Sequence, residues 1–123
     1  MSEYSGNIRD LPVVTGGHFI ENSTKKIVFG PDGRFWNDYV MRLFTLEPEA
    51  ESSVHSHPWQ HWFLCIQGEG YFLIDKERVP LEFGTWVHVP GGVRHNFGNT
   101  GKGQLMALCI VPPEGDVNPL NGC

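Results

Sequence analysis

Positive charge is scarce in this chain: nine Lys and Arg face fourteen Asp and Glu, for a formal net charge of −5. The one adjacent basic pair is Lys25-Lys26, so no basic stripe can neutralise phosphates. Neither nucleic acid nor a membrane surface is an expected partner. Long apolar runs are missing too; none approaches the ~20 residues needed to cross a bilayer. The opening stretch MSEYSGNIRD lacks the basic-then-apolar pattern of a secretory signal. Cysteine is limited to Cys65, Cys109 and Cys123, an odd and widely spaced set that makes no disulfide framework. These absences set a cytoplasmic, reducing location as the expectation. Helical periodicity is absent as well: no segment carries apolar residues at i, i+3, i+4 and i+7 over a helical length.

What is present reads as strand and turn. The 123 residues suit one domain, since two would each be too small for a sizeable core. Apolar residues make up 40% and charged residues 19%, the balance of a globular chain. Fifteen Gly and nine Pro fall mostly between short apolar runs, as turns between strands do. The runs are DYVMRLFTLEP (38–48), HWFLCIQ (61–67), YFLID (71–75), VPLEFG (79–84), TWVHVP (85–90) and QLMALCIVPP (104–113). Gly68-Glu69-Gly70 is expected to make a tight hairpin between the second and third. Residues 1–37 read as an N-terminal extension with one or two strands, at Lys26–Phe29 and 11–14; residues 38–115 form the main unit, and 116–123 an irregular tail. Many short strands at this spacing imply a β-sandwich or barrel.

Three of the six histidines crowd into HSHPWQH at 55–61. His55 and His57 sit two apart, so on an extended strand they share a face, about 6.6 Å apart along the backbone. Pro58 cannot donate a ladder hydrogen bond and is expected to end that strand. His61 then opens the next one and can approach a common ion. Downstream, GTWVHVPGGVRHNFGN (84–99) reads as a strand, a Pro-Gly-Gly turn and His95, a possible fourth ligand. An isolated histidine is most simply a hydrogen-bonded structural residue; four at these spacings point to a metal.

The stretch 55–99 resembles the cupin superfamily. Its second motif is matched throughout by Gly84, Pro90, Gly92, His95 and Asn99, and its first by His55, His57, His61 and Gly68. Two positions depart: Glu49 stands where the first motif opens with glycine, and His61 replaces the usual glutamate. The second departure is similar to a subgroup of small single-domain four-histidine cupins, some of which bind manganese. MRLFTLEP (41–48), HSHPW (55–59) and LCIVPPEG (108–115) also look like that subgroup.

The resemblance implies an all-β, single-domain cupin barrel (double-stranded β-helix, or jelly roll), with His55, His57, His61 and His95 holding one divalent transition metal. Manganese is implied, and iron, nickel, zinc and copper also accept imidazole. Four neutral ligands leave the ion's charge uncompensated, which makes it a stronger Lewis acid and harder to oxidise. The implied activity is a metal-dependent, dioxygenase-like oxidoreductase acting on a small oxygenated substrate. A metal-assisted isomerase or lyase acting on a sugar acid, or a non-catalytic binding or sensing module, are the alternatives. A homodimer is the family expectation.

Other residues are weighed by parity. Phe63, Cys65 and Gln67 share His61's side of their strand and are pocket candidates, although Cys65 is more simply a core residue. Cys109 either packs in the core or reaches the cavity near the metal. Arg42 is also a pocket candidate: an arginine on a barrel strand usually faces solvent, but if it points inward it becomes a clamp for a substrate carboxylate. His18 and His88 are read as structural.

Overall fold

The computed structural model describes residues 3–15 and 20–116; His18, Cys123 and most of the tail lie outside them. Among the described residues eight strands follow one another: β1 (Ser23–Phe29), β2 (Val40–Leu46), β3 (His61–Gln67), β4 (Gly70–Ile74), β5 (Glu77–Leu81), β6 (Trp86–Val89), β7 (His95–Asn99) and β8 (Leu105–Val111). They form two antiparallel sheets, β1-β2-β8-β3-β6 and β5-β4-β7. Strand β1 is an integral edge of the larger sheet, paired with β2 from Ser23↔Leu46 to Phe29↔Met41. Residues 11–14 form no strand; Val14 N–H donates to the Lys25 carbonyl at 2.8 Å.

The sheets face each other across a phenylalanine core. Phe63 on β3 meets Phe72 on β4 and Phe97 on β7, with ring centroids 4.8 and 5.0 Å apart, and Phe44 on β2 lies 6.2 Å from Phe97. All four rings are at most 2% exposed, and burying each one stabilises the fold by about 1.5–3 kcal/mol. Inward residues run in register across the large sheet: Ile27, Arg42, Cys109, Phe63 and Val87 form one row, one residue per strand. Arg42 therefore faces inward, the second of the two orientations open to it from the sequence.

The expected hairpin at Gly68-Glu69-Gly70 does not form. Strand β3 pairs with β6 and β8, and β4 with β5 and β7, so the glycines carry the chain from one sheet to the other. Gly68 has φ +90°, and a Cβ there would strike the Gln104 carbonyl oxygen. The short hairpin is β4–β5, closed at Asp75-Lys76 with Asp75 at φ 54°. Pro80 sits on β5, the sheet edge, where a missing N–H costs no ladder bond.

Candidate metal centre

Two ligand candidates are spaced by main-chain hydrogen bonds. His55 does not lie on a regular strand; residues 51–55 run beside β7 through isolated bridges, Glu51↔Gly98 and His55↔His95. His55 N–H donates to the His95 carbonyl at 3.0 Å, and His95 N–H returns to the His55 carbonyl at 2.9 Å. The shared-face expectation for His55 and His57 thus holds in effect without the strand: their ring centroids are 5.6 Å apart. Pro58 and Trp59 form a bend, against which the Pro90-Gly91-Gly92 turn packs. Gly92 N–H donates to the His57 carbonyl at 2.7 Å, and a Cβ on Gly91 would strike the Pro58 carbonyl oxygen.

The side-chain ligand atoms of His55, His57 and His95 all lie within 4.8 Å of one another. His61, on the first residue of β3, completes the cluster. Its ring is 4.9 Å from that of His57 and 4.6 Å from that of His95, and its Nε2 is 3.1 Å from His95 Nε2. Both His61 and His95 are fully buried.

Three of the rings are oriented by backbone carbonyls. Nδ1 of His55 meets the Ser53 oxygen at 2.7 Å, Nδ1 of His57 the Trp59 oxygen at 3.0 Å, and Nδ1 of His95 the Val93 oxygen at 2.9 Å. A carbonyl only accepts, so each Nδ1 must carry the proton and each neutral ring presents its Nε2 lone pair to the cluster. Nε2 of His55 is buried without a protein hydrogen-bond partner. That orphaned acceptor, in a cluster of further lone pairs, fits a cation.

Burial depresses the basicity of two of these rings, His61 and His57. His61 is pushed down to about 2 by its removal from water, and then by the neighbouring His95, His57 and Arg42. His57 is lowered by burial, partly opposed by its bond to Trp59. Rings that resist protonation keep their lone pairs available, as a metal ligand must. Phe72 lies parallel to His95 at 6.1 Å, and Trp59 to His57 at 4.6 Å, giving the cluster an aromatic floor and flank.

The other candidate residues separate. Cys109 Sγ is 3.4 Å from His61 Nδ1 and 3.2 Å from Arg42 Nη2, so this position does reach the histidine cluster. Against the expectation of unpaired cysteines, Cys109 is disulfide-bonded and offers no thiolate. Arg42 is 1% exposed and pairs through Nη1 with Asp116 at 3.3 Å, while Lys25 Nζ binds the same carboxylate oxygen at 2.6 Å. Burial lowers Arg42 to about 10 and also lowers Lys25, with Asp116 opposing both shifts. Phe63 belongs to the aromatic core. Cys65 is a buried free thiol raised by burial, as a core position requires. Gln67 is exposed at the end of β3, past the irregularity between Cys65 and Gln67 in the pairing with β8. His88 bonds Gln60 at 2.8 Å on the surface.

Sequence reasoning missed Lys25 and Asp116. Asp116 lay in a stretch read as tail, but the position of Lys25, two residues before Ile27 on a strand, could have marked it as inward.

The sequence model of the cupin domain matches residues 42–111, more than half of the chain. The chain is 26% identical to auxin-binding protein 1 of Arabidopsis thaliana over 118 residues; the match covers 87% of this chain and 59% of that protein. Among solved structures, the polyketide cyclase RemF from Streptomyces resistomycificus superposes with a TM-score of 0.76 at 16% identity, over 91% of this chain and 80% of that one. A predicted oxalate decarboxylase from Thermotoga maritima gives 0.75 at 16% identity, over 86% and 96%. A cupin-2 domain protein from Rhodospirillum rubrum gives 0.71 at 21%, over 85% and 69%. The shared architecture is that of the cupin β-barrel, and the chain belongs to the cupin family.

Proposed function

We propose that His55, His57, His61 and His95 together hold one divalent transition metal, manganese by resemblance, in a metal-dependent enzyme that acts on a small oxygenated molecule. The observation that carries this reading is the convergence of ring nitrogens whose opposite nitrogens are bound to backbone carbonyls. The 3.1 Å between Nε2 of His61 and Nε2 of His95 supports the fourth ligand. Two nitrogens about 2.1 Å from one ion and at right angles to each other are about 3.0 Å apart. When bound, the ion supplies Lewis acidity and open positions for substrate oxygens. The protein fixes ring tautomers, excludes water with Phe72 and Trp59, and keeps His57 and His61 from protonating easily.

Oxidative, dioxygenase-like chemistry is the reading carried over from the four-histidine subgroup. The likeness to a polyketide cyclase favours a second reading, redox-neutral isomerase or lyase chemistry at the same centre. Metal analysis of protein purified from its native host, followed by an oxygen-uptake screen against small diketones, phenolics and uronates, tests both. Stoichiometric metal with substrate-dependent oxygen uptake supports the first reading. Turnover without oxygen uptake supports the second, and absence of a stoichiometric transition metal overturns the centre itself.

The assembly we propose is a homodimer through the outer face of the large sheet. Leu64 and its β6 neighbour Trp86, with Phe83 nearby in sequence, are exposed there. A monomer mass in solution scattering at micromolar concentration would refute it.

A further inference from the structure

The loop between β1 and β2 holds an uncommon backbone. Asp32 and Phe35 take left-handed φ values, 65° and 73°. Aspartate enters this region readily, but a bulky aromatic seldom does, and such strain persists only where the surroundings over-determine it. Here the loop is pinned at its base. Gly30 N–H donates to the Arg34 carbonyl at 3.1 Å, and Trp36 N–H to the Gly30 carbonyl at 3.2 Å. Arg34 Nη2 donates to the Ile27 and Val28 carbonyls at 2.9 and 3.0 Å, where the β1–β2 register slips between Ile27 and Phe29. The guanidinium is thereby fixed, yet its Nε is buried without a hydrogen-bond partner.

Asp32 and Arg34 line one cavity of about 480 Å³, with Val13, Val14, Ile27 and Val40 among its apolar walls. That volume takes a small molecule. None of the four clustered histidines lines it, so it is separate from the candidate metal centre. Asp32 is exposed, Arg34 half-buried and Val40 buried, so the cavity runs from a charged rim to an apolar end. Among the described residues, Asp32 and Arg34 form no ion pair, either with each other or with a third group. Asp116 lines the cavity too, but one of its oxygens is already engaged by Lys25 and Arg42. One pinned loop thus presents an unmatched positive and an unmatched negative charge beside an apolar interior.

We infer that this cavity binds a free α-amino acid with a large apolar side chain, its carboxylate on Arg34, its ammonium on Asp32 and its side chain against Val14, Ile27 and Val40. A carboxylate accepts a charge-assisted bond from Nε–H, the donor that the fold leaves unsatisfied. A ligand with one charge would leave the opposite group of the loop unanswered, whereas a zwitterion meets both. Being neutral overall, a zwitterion also brings no net charge beside Asp116. A short side chain would leave most of the cavity unfilled, which sets the preference for a large one. The inference holds whether or not the histidines carry a metal.

The test uses metal-free full-length protein, so that no ion can chelate the amino acid. Calorimetry at neutral pH compares L-phenylalanine with 3-phenylpropanoate, which lacks the ammonium, and with 2-phenylethylamine, which lacks the carboxylate. L-Phenylalanine is expected to bind about tenfold more tightly than either, and L-alanine about tenfold more weakly than L-phenylalanine. The methyl NMR signals of Val13, Val14 and Val40 should shift on binding, and the imidazole signals of the four clustered histidines should not. In Asp32→Asn the advantage over 3-phenylpropanoate disappears, and in Arg34→Gln the advantage over 2-phenylethylamine. Arg34 also supports two β1 carbonyls; should Arg34→Gln fail to fold, the wild-type ligand series and Asp32→Asn decide. L-Phenylalanine binding no tighter than 3-phenylpropanoate or 2-phenylethylamine, shifts confined to the histidines, or a full preference kept in Asp32→Asn overturns the inference. Each of these leaves the metal reading untouched.

Discussion

His61 Nε2 lies 3.1 Å from His95 Nε2, with both rings fully buried. His95 already donates from Nδ1 to the Val93 carbonyl, so in its neutral form Nε2 holds a lone pair. In the metal-free protein a proton on His61 Nε2 satisfies the pair. When both nitrogens turn their lone pairs to an ion, the His61 proton belongs on Nδ1, facing Cys109 Sγ at 3.4 Å. Metal loading is thus expected to switch the His61 tautomer from Nε2–H to Nδ1–H while those of His55, His57 and His95 stay the same. Nitrogen-15 imidazole shifts, recorded before and after loading with diamagnetic zinc, check this; an unchanged His61 tautomer would remove it from the ligand set.

Single-ligand variants should divide sharply. His57→Ala and His95→Ala are each expected to lower metal affinity about 100-fold or more, the upper part of the range for disturbing a site's supporting contacts. His88→Ala, which removes only the surface bond to Gln60, should bind metal as wild type does. Elemental analysis after dialysis against a graded chelator series gives the comparison.

Acid should destabilise the metal-free protein early. His61 ionises near 6.5 when unfolded and near 2 when folded, so below 6.5 the unfolded chain binds the extra proton. Stability therefore falls as pH drops from about 6.5 toward 2, approaching about 1.4 kcal/mol per pH unit from this one ring. His57 adds to the same trend, because burial lowers it too. Denaturant titrations between pH 7 and 4 measure the slope, and His61→Phe should flatten it.

Glu49 occupies the left-handed region at φ 73°, at the position where the first cupin motif opens with glycine. Left-handed backbone costs a residue with a Cβ about 1–2 kcal/mol, part of which glycine returns as unfolded-state entropy. Glu49→Gly is expected to raise stability by about 0.5–1 kcal/mol, since the side chain is exposed. A lowered unfolding midpoint would show that Glu49 makes a contribution that outweighs its backbone strain.

Substituting the turn glycine beside the site should affect binding more than folding. In Gly91→Ala the added methyl meets the Pro58 carbonyl, one residue from His57. The loop must yield, and metal affinity is expected to fall about tenfold, as for other changes to the supports of a ligand. Circular dichroism should meanwhile show an intact fold.

The sequence made some of this architecture legible and concealed the rest for physical reasons. The run 61–67 coincides with β3 because its alternation is backed by turn residues on either side. Strand β7, HNFGN, contains no β-branched residue and carries little strand signal of its own; it is held by β4 on one side and by residues 51–55 on the other. The false hairpin at Gly68 arose because glycines signal a sharp turn without saying into which sheet. Arg42 was hard to orient because Met41 and Leu43 make the outer face of β2 apolar too, which hides the alternation with Val40, Phe44 and Leu46. The histidines were legible as a set, since their spacing follows from the turns. Their ring orientations were not, because these depend on carbonyls two residues away.

The reciprocal main-chain bonds between His55 and His95 have a bearing on metal choice. Peptide geometry sets the gap between these two jaws, so thinning the phenylalanine core would weaken the protein before it widened the bite. Ions of different radius would meet the same opening, and discrimination among them would fall to His57 and His61, which sit just before the Pro58-Trp59 bend and on a separate strand. Exchanging one metal for another should therefore leave the His55 and His95 signals nearly in place and register mainly at the other two rings.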